Sequence, residues 1–477
     1  MTLVAGIDSS TQSTKLLVVD AETGRVVRSG RAPHPPGTEV DPDEWWNALQ
    51  RAIREAGGID DVAAVSVGGQ QHGMVVLDAN GRVVRPALLW NDTRSASDAE
   101  ALVQQRGGGD VQAGRQWWVD NVGLVPVASF TATKLSWLAR AERSNAARVA
   151  AVCLPHDWLT WRLAGYGPEN PRLDRLVTDR SDASGTAYFD PKSNSYRPDI
   201  LRDTLGHVPL LPEVLGPLQA AGCTPSGTLL AAGAGDNAAA ALGIGAEAGD
   251  IVVSVGTSGT VFAVSQEQVH DPTGMVAGFA DAAGGFLPLA ATLNASLVLD
   301  AVARLLALDP IAFDELARRG PSSGLRMVPY LSGERTPNLP NATGTLLGIT
   351  LDNLTPSHLA RAAIEGVVCS LADACAAVEA SGVAGARAIF VGGGARYRSL
   401  QEVAAQVFSM PLVFPEPAEY VALGVARQAA GTIKGALPGW TAPREELAPR
   451  NSPEPLAGYR RATHLLWSDS AIPSPPA

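Results

Sequence analysis

Two stretches half a chain apart share one layout: an apolar strand, a tight loop of small hydroxyl residues, then a second apolar strand. The first runs from Leu3 to Ile7, through Asp8-Ser9-Ser10-Thr11-Gln12-Ser13, into Thr14 to Val19. The second runs from Ile251 to Val255, through Gly256-Thr257-Ser258-Gly259, into Thr260 to Val264. Loops crowded with Ser, Thr and Gly bring backbone N–H groups and hydroxyls to one point, which suits a phosphate. Two such loops facing each other across a cleft would hold the phosphate chain of a nucleotide. The repeat points to a duplicated, phosphate-handling enzyme.

A chain of 477 residues exceeds what one core usually organises, so two domains are expected, 1–245 and 246–477. The net charge of −11 argues against a nucleic-acid partner but leaves nucleotides open, since a phosphate site needs local donors only. Cys153, Cys223, Cys369 and Cys375 form no C-x-x-C pair, so the reading is buried thiols in a reducing cytoplasm. The chain enters a strand at once, without the features of a signal peptide. No apolar run approaches ~20 residues, so no membrane span is expected. The expected setting is therefore cytoplasmic, away from membranes.

Asp41-Pro42-Asp43-Glu44 opens a helix, with Asp41 as its cap and Glu44 completing a capping box, and Gly57-Gly58 closes it. Val62 to Val67 reads as a strand running into Gly68-Gly69-Gln70-Gln71-His72-Gly73. Strand, strand, strand, helix, strand is an α/β plan whose loops carry the chemistry. The region 101–215 reads as helical and irregular. Leu229 to Ala232 is a short strand before Gly235-Asp236-Asn237 and an Ala-rich helix. Thr355-Pro356 begins a long helix to about Ala380, and Ala388 to Val391 feeds Gly392-Gly393-Gly394. From Pro438 the Pro-rich tail is expected to be extended, with a weakly ordered end.

Neither a P-loop nor a G-x-G-x-x-G turn after a strand occurs, so phosphate must be held otherwise. Asp8, where the first strand meets its loop, either holds a hydrated Mg²⁺ or closes an Asx-turn. Asp236 either caps the Ala-rich helix or serves as general base for a substrate hydroxyl, and the two roles can coexist. A helix N-terminus would keep its carboxylate ionised at neutral pH. Gln70-Gln71-His72 between glycines, and Asn237, offer hydrogen bonds suited to a polyol. Trp90 in Trp90-Asn91-Asp92-Thr93-Arg94 would stack on a sugar face while Asp92 binds hydroxyls, unless the segment is a turn with an Asp–Arg pair. The Gly392–Gly394 run permits close approach to a flat ligand such as adenine.

Taken together, these stretches resemble the FGGY family of carbohydrate kinases. The likeness rests on Gly6-Ile7-Asp8-Ser9-Ser10-Thr11, Gly69-Gln70-Gln71-His72-Gly73, Leu89 to Arg94, Thr178 to Gly185, Gly235 to Ala239, Ser254 to Gly259, Pro329 to Pro337, and Gly392 to Arg396. The resemblance implies two actin-like ATPase (ribonuclease H-like) domains with a cleft between them, sugar bound by the first and nucleotide by the second. It implies transfer of the ATP γ-phosphate to the 5-hydroxyl of D-xylulose, with ATP and Mg²⁺ required. By motif, Asp236 would be the general base and Asp8 the magnesium holder. Gln71, His72 and Asn237 would contact sugar, with Trp90 and Asp92 beside them. Ser10, Thr11, Gly256 and Thr257 would face phosphates, and Gly393 and Gly394 the adenosine.

Two positions depart from the family pattern: Ser10 stands where Gly is frequent, and Gln71 where the sugar segment carries Met. Ser10 keeps the backbone donor, whereas Gln71 replaces an apolar contact with an amide that would widen or shift sugar preference. Rival readings are a kinase for ribulose, gluconate or glycerol, and an actin-fold ATPase acting as chaperone or filament. The stretch Tyr166 to Arg175 has no assigned role, and a homodimer is one assembly the sequence allows.

Overall fold

The computed structural model describes residues 1–320, 324–440, 443–450, 452 and 454–467. The chain divides into two compact units, one of residues 1–246, 266–287 and 419–441, the other of 247–265, 288–418 and 442–477.

In the first unit the strands Leu3–Ser9 and Ser13–Asp20 form an antiparallel hairpin with Asp8 opposite Lys15. Val26–Pro33 adds to its outer side. On the other side Leu3–Ser9 runs parallel to Ala64–Gly69, which in turn pairs in parallel with Leu229–Ala231 and Ala234–Gly235. Leu3–Ser9 is buried on both faces, which explains its unbroken apolar run. One face receives Trp45, Leu49 and Ala52 of the helix Pro42–Glu55. The other receives Ala422 and Ala426 of the helix Tyr420–Lys434. That second contact is backbone on backbone: a Cβ on Gly6 would lie 1.9 Å from the Ala422 carbonyl oxygen.

The second unit repeats this topology. Asp250–Val255 and Gly259–Ala263 form the hairpin, and the strand Phe286–Thr292 pairs antiparallel with its second arm through residues Leu289 to Thr292. Arg387–Val391 runs parallel to the first arm, as Ala64–Gly69 does in the first unit. Leu412–Pro415 and Arg444–Leu447 extend the sheet. The helix Pro356–Ala380 starts as expected, with Thr355 at its cap.

Several expectations change. The helix at Pro42 is capped by Asp41 accepting from the Asp43 N–H at 3.0 Å rather than through Glu44. The tail is extended only in part: after the strand Arg444–Leu447 it forms the helix Glu454–Trp467. Its last residues, 468–477, lie outside the described residues. Three cysteines are buried but Cys223 is exposed. The stretch Tyr166 to Arg175 packs on the helix Pro155–Leu163, where the Trp161 indole donates to the Arg172 carbonyl at 2.9 Å. Among the described residues no helix is long and apolar enough to cross a membrane.

Candidate active site

Strand register brings the catalytic candidates of the first unit together. Asp8 and Ala234 both pair with Gly68, and Ser9 and Gly235 both pair with Gly69. Three parallel strands therefore end at one level, and the Ser10 loop, the Gln70–Gly73 segment and Asp236 leave from one edge of the sheet. Loops at the carboxyl ends of parallel strands are where α/β folds place their chemistry.

Asp8 is 3 % exposed. Its Oδ2 lies 3.5 Å from Lys15 Nζ, which also bonds Glu419 Oε2 at 2.6 Å. Among the described residues its buried Oδ1 has no hydrogen-bond partner, nor have the Ser9 and Ser13 hydroxyls. An oxygen that accepts nothing from its own loop does not make an Asx-turn. Burial raises the Asp8 pKa to about 6, with Lys15 opposing and Glu419 adding to the rise. A hard, orphaned carboxylate oxygen suits Mg²⁺.

Asp236 is the first residue of the helix Asp236–Ile244, with Gly235 in the capping position, so the expected capping role is corrected. Its Oδ1 accepts instead from the Asn237 N–H at 2.8 Å and the Asn237 amide at 2.9 Å. Nor does the helix terminus keep it firmly ionised. Burial, then the Asp8 charge, raise its pKa to about 7. A carboxylate poised near neutrality is suited to general-base work.

The sugar segment is tied to the same edge. Asn237 Nδ2 also donates to Gln71 Oε1 at 3.1 Å, and Gln71 Nε2 to the Ser181 carbonyl at 3.4 Å. His72 holds a left-handed backbone, φ 69°, and its carbonyl accepts from Thr131 Oγ1 at 3.2 Å and the buried Lys134 Nζ at 3.0 Å. The His72 ring bonds the Gly185 carbonyl through Nδ1 at 2.8 Å and sits 5.0 and 5.6 Å from the rings of Phe130 and Phe279. Only glycine fits at 185, where a Cβ would meet His72 Nδ1 at 2.5 Å.

Three assignments read differently in place. Thr11 Oγ1 accepts from the Trp90 indole at 2.9 Å and donates to Gln70 Oε1 at 3.3 Å, so it is joined to the sugar segment. Ser10 Oγ closes its own loop on the Ser13 carbonyl at 2.9 Å. Asp92 uses both oxygens internally, Oδ1 on Arg94 and Oδ2 on Thr38 at 2.8 Å, and has become the Asp–Arg turn rather than a free sugar ligand. Sequence reasoning missed Lys134, Phe130 and Phe279, which no local pattern marks.

In the second unit, the Gly256 and Thr257 carbonyls accept from Ser296 N–H at 2.9 Å and from Leu297 N–H at 3.3 Å. The Thr257 residue is exposed. Gly392 has φ 93°, and a Cβ on Gly394 would meet Val255 Cγ1 at 2.5 Å. Gly393 has nothing within 4 Å of where a Cβ would be, so it presents bare backbone to solvent.

Residues 3–243 match the N-terminal domain, and residues 251–432 the C-terminal domain, of the FGGY family of carbohydrate kinases. The chain belongs to this family and is an enzyme that transfers phosphate to an alcohol group of a sugar, built on the two-domain actin-like ATPase fold. Among its relatives, a xylulose kinase of Streptomyces coelicolor is 48 % identical over 91 % of this chain and 88 % of that protein. A xylulose kinase of Streptomyces rubiginosus is 47 % identical over 94 % and 91 %. The crystal structure of xylulose kinase from Bifidobacterium adolescentis is similar with a TM-score of 0.89 at 45 % identity, covering 97 % of this chain and 99 % of that one.

Proposed function

We propose that the protein phosphorylates D-xylulose at its 5-hydroxyl to give D-xylulose 5-phosphate, with ATP as donor. The observation that carries the reading is the common edge where Asp8, Gln71 and Asp236 emerge, the last two joined through Asn237. The relatives' names supply the substrate. In this reading Gln71, His72 and Asn237 bind sugar hydroxyls, with the Trp90 ring beside them. Asp236 accepts the proton of the attacking hydroxyl as the γ-phosphoryl group leaves ATP. Gly256 and Thr257 hold phosphates through backbone N–H and hydroxyl, and Gly393 and Gly394 offer backbone to adenosine. Asp8 is the residue that would hold Mg²⁺, through its unpartnered Oδ1. When bound, the ion neutralises charge on the transferring group.

Catalysis then comes mainly from positioning and charge placement. The Asn237 amide holds one Asp236 oxygen, which leaves the other for the substrate hydroxyl. A coupled ADP-release assay over a panel of xylulose, ribulose, gluconate and glycerol tests the reading. The highest kcat/KM is expected for D-xylulose, and Asp236→Ala should lose about 10²- to 10⁴-fold in kcat. A different preferred sugar, or an active Asp236→Ala enzyme, would overturn the substrate or the base respectively. The cytoplasm is the proposed compartment, and a homodimer the assembly to test by sedimentation.

A further inference from the structure

His156 lies in the first turns of the helix Pro155–Leu163 and is wholly buried. It is wedged between two strand ends, its backbone and Cβ against Gly69 and its ring against Gly233. A Cβ on Gly69 would lie 2.8 Å from His156 Cβ, and one on Gly233 would lie 2.4 Å from His156 Cδ2. Gly69 precedes the sugar segment directly, and Gly233 lies three residues before Asp236. A Cβ at either glycine would collide with His156 as it sits.

Three carboxylates face the ring. His156 Nδ1 bonds Asp182 Oδ2 at 2.6 Å and lies 3.3 Å from Asp157 Oδ1, while Nε2 is 3.9 Å from Asp179 Oδ1. Burial alone would lower the imidazole pKa, but Asp157, Asp182 and Asp179 together outweigh it and raise the pKa. Asp179 caps the turn carrying Asp182, accepting from Ser181 N–H at 2.8 Å and Asp182 N–H at 3.0 Å. That turn is where the site is anchored: the Ser181 carbonyl accepts from Gln71, the Ser181 hydroxyl from Gly235 N–H at 3.1 Å, and the Gly185 carbonyl holds His72. The ligand atoms of His156, Asp157 and Asp182 also fall within 4.8 Å of one another, as metal ligands can. A 2.6 Å N···O contact is a hydrogen bond, however, and leaves no space for an ion between those two atoms.

We propose that His156 is a positioning residue for sugar phosphorylation: paired with Asp182 and wedged between Gly69 and Gly233, it fixes the Asp179–Gly185 turn that sets Gln71, His72 and Asp236. The mechanism given above makes no use of this ring. The inference rests on the proposed assignment of those three residues to sugar binding and proton transfer.

The test compares His156→Leu, His156→Asn and Asp182→Asn with the wild-type enzyme, measuring KM for D-xylulose, KM for ATP, kcat and melting temperature. His156→Leu should raise the sugar KM about tenfold and lower kcat about 10- to 100-fold, with the ATP KM within about twofold of wild type. His156→Asn keeps an N–H donor near the Nδ1 position and should recover most of the sugar KM. Asp182→Asn, which keeps an acceptor but removes the charge, should fall between. Lower melting temperatures with wild-type kinetic constants in the folded fraction would overturn the proposal. So would failure of all three variants to fold, or one equivalent of transition metal copurifying with the wild type. If the wild type itself phosphorylated no sugar, the functional reading would fail first. An active wild type with unaltered variants would sink this inference alone.

Discussion

Lys15 Nζ lies 3.5 Å from one oxygen of the Asp8 carboxylate, directly across the first hairpin, while the other, buried oxygen of Asp8 has no partner among the described residues. The lysine itself is held by Glu419 at 2.6 Å, so a cation already balances one side of the carboxylate. The other oxygen is the one through which Asp8 would hold Mg²⁺ in the reading proposed above. Asp8→Asn keeps the shape and removes the charge. It should lower kcat by about 10²-fold or more and raise the Mg²⁺ concentration for half-maximal rate, with the sugar KM little changed. Titrating Mg²⁺ at saturating ATP checks this, and an unchanged metal requirement would remove Asp8 from that role.

The pKa of Asp236 sets a pH dependence with a definite sign. Its ordinary value of 3.8 rises to about 7, from burial and then from Asp8. A base must be ionised, so log kcat should fall with unit slope as pH drops below about 7. Stability moves the other way. The folded state binds this proton more tightly than the unfolded chain, so the contribution of Asp236 to stability should decline as pH rises from about 4 to 7 and then level off. Asp236→Asn should be nearly inactive yet melt higher than wild type above pH 7, by an amount worth a few kcal/mol. Melting curves at pH 5 and pH 8 distinguish the two. Equal effects at both pH values would contradict the assigned shift.

Much of this architecture was legible in the chain, for a physical reason. Hairpins such as Leu3–Asp20 and Asp250–Ala263 are local, so apolar runs and small-residue loops reveal them directly. The tail was misread because its prolines outweighed a non-local contact, in which the Tyr459 hydroxyl of the helix Glu454–Trp467 meets that of Tyr330 at 3.0 Å. Asp92 and Asp236 show the limit within the site. Residue type marked both, but only the fold decides between the two readings of Asp92, whose oxygens accept from Arg94 and Thr38. His156 carries little local signature, since apart from the adjacent Asp157 its partners are Asp182 and two glycines distant in sequence.

Gln428 illustrates a long-range support that should be measurable. Fully buried on the helix Tyr420–Lys434, its Oε1 accepts from Ser66 Oγ at 2.6 Å and Gly233 N–H at 3.0 Å, and its Nε2 donates to the Gly233 carbonyl at 2.9 Å. It thus pairs both backbone groups of the glycine that leads to Asp236. Gln428→Leu has similar volume but strands three buried polar groups, so it should destabilise by about 2–4 kcal/mol. Urea denaturation would show this as a shifted midpoint at unchanged slope. A variant as stable as wild type would mean that water replaces the amide.

The glycine run after Arg387–Val391 gives a separation of folding from binding. Gly394 is packed on Val255 and Gly392 needs its positive φ, so substitution at either should destabilise the second unit. Gly393 differs: its φ is −62° and a Cβ there meets nothing within 4 Å. Gly393→Val should therefore melt within about 1 °C of wild type, since it is a surface change with little effect on stability. If adenosine lies against this backbone, the new side chain occupies its place, and the ATP KM should rise about tenfold while the D-xylulose KM stays within twofold. Raising ATP should then restore kcat. An unchanged ATP KM in a folded variant would move the adenosine site away from this loop.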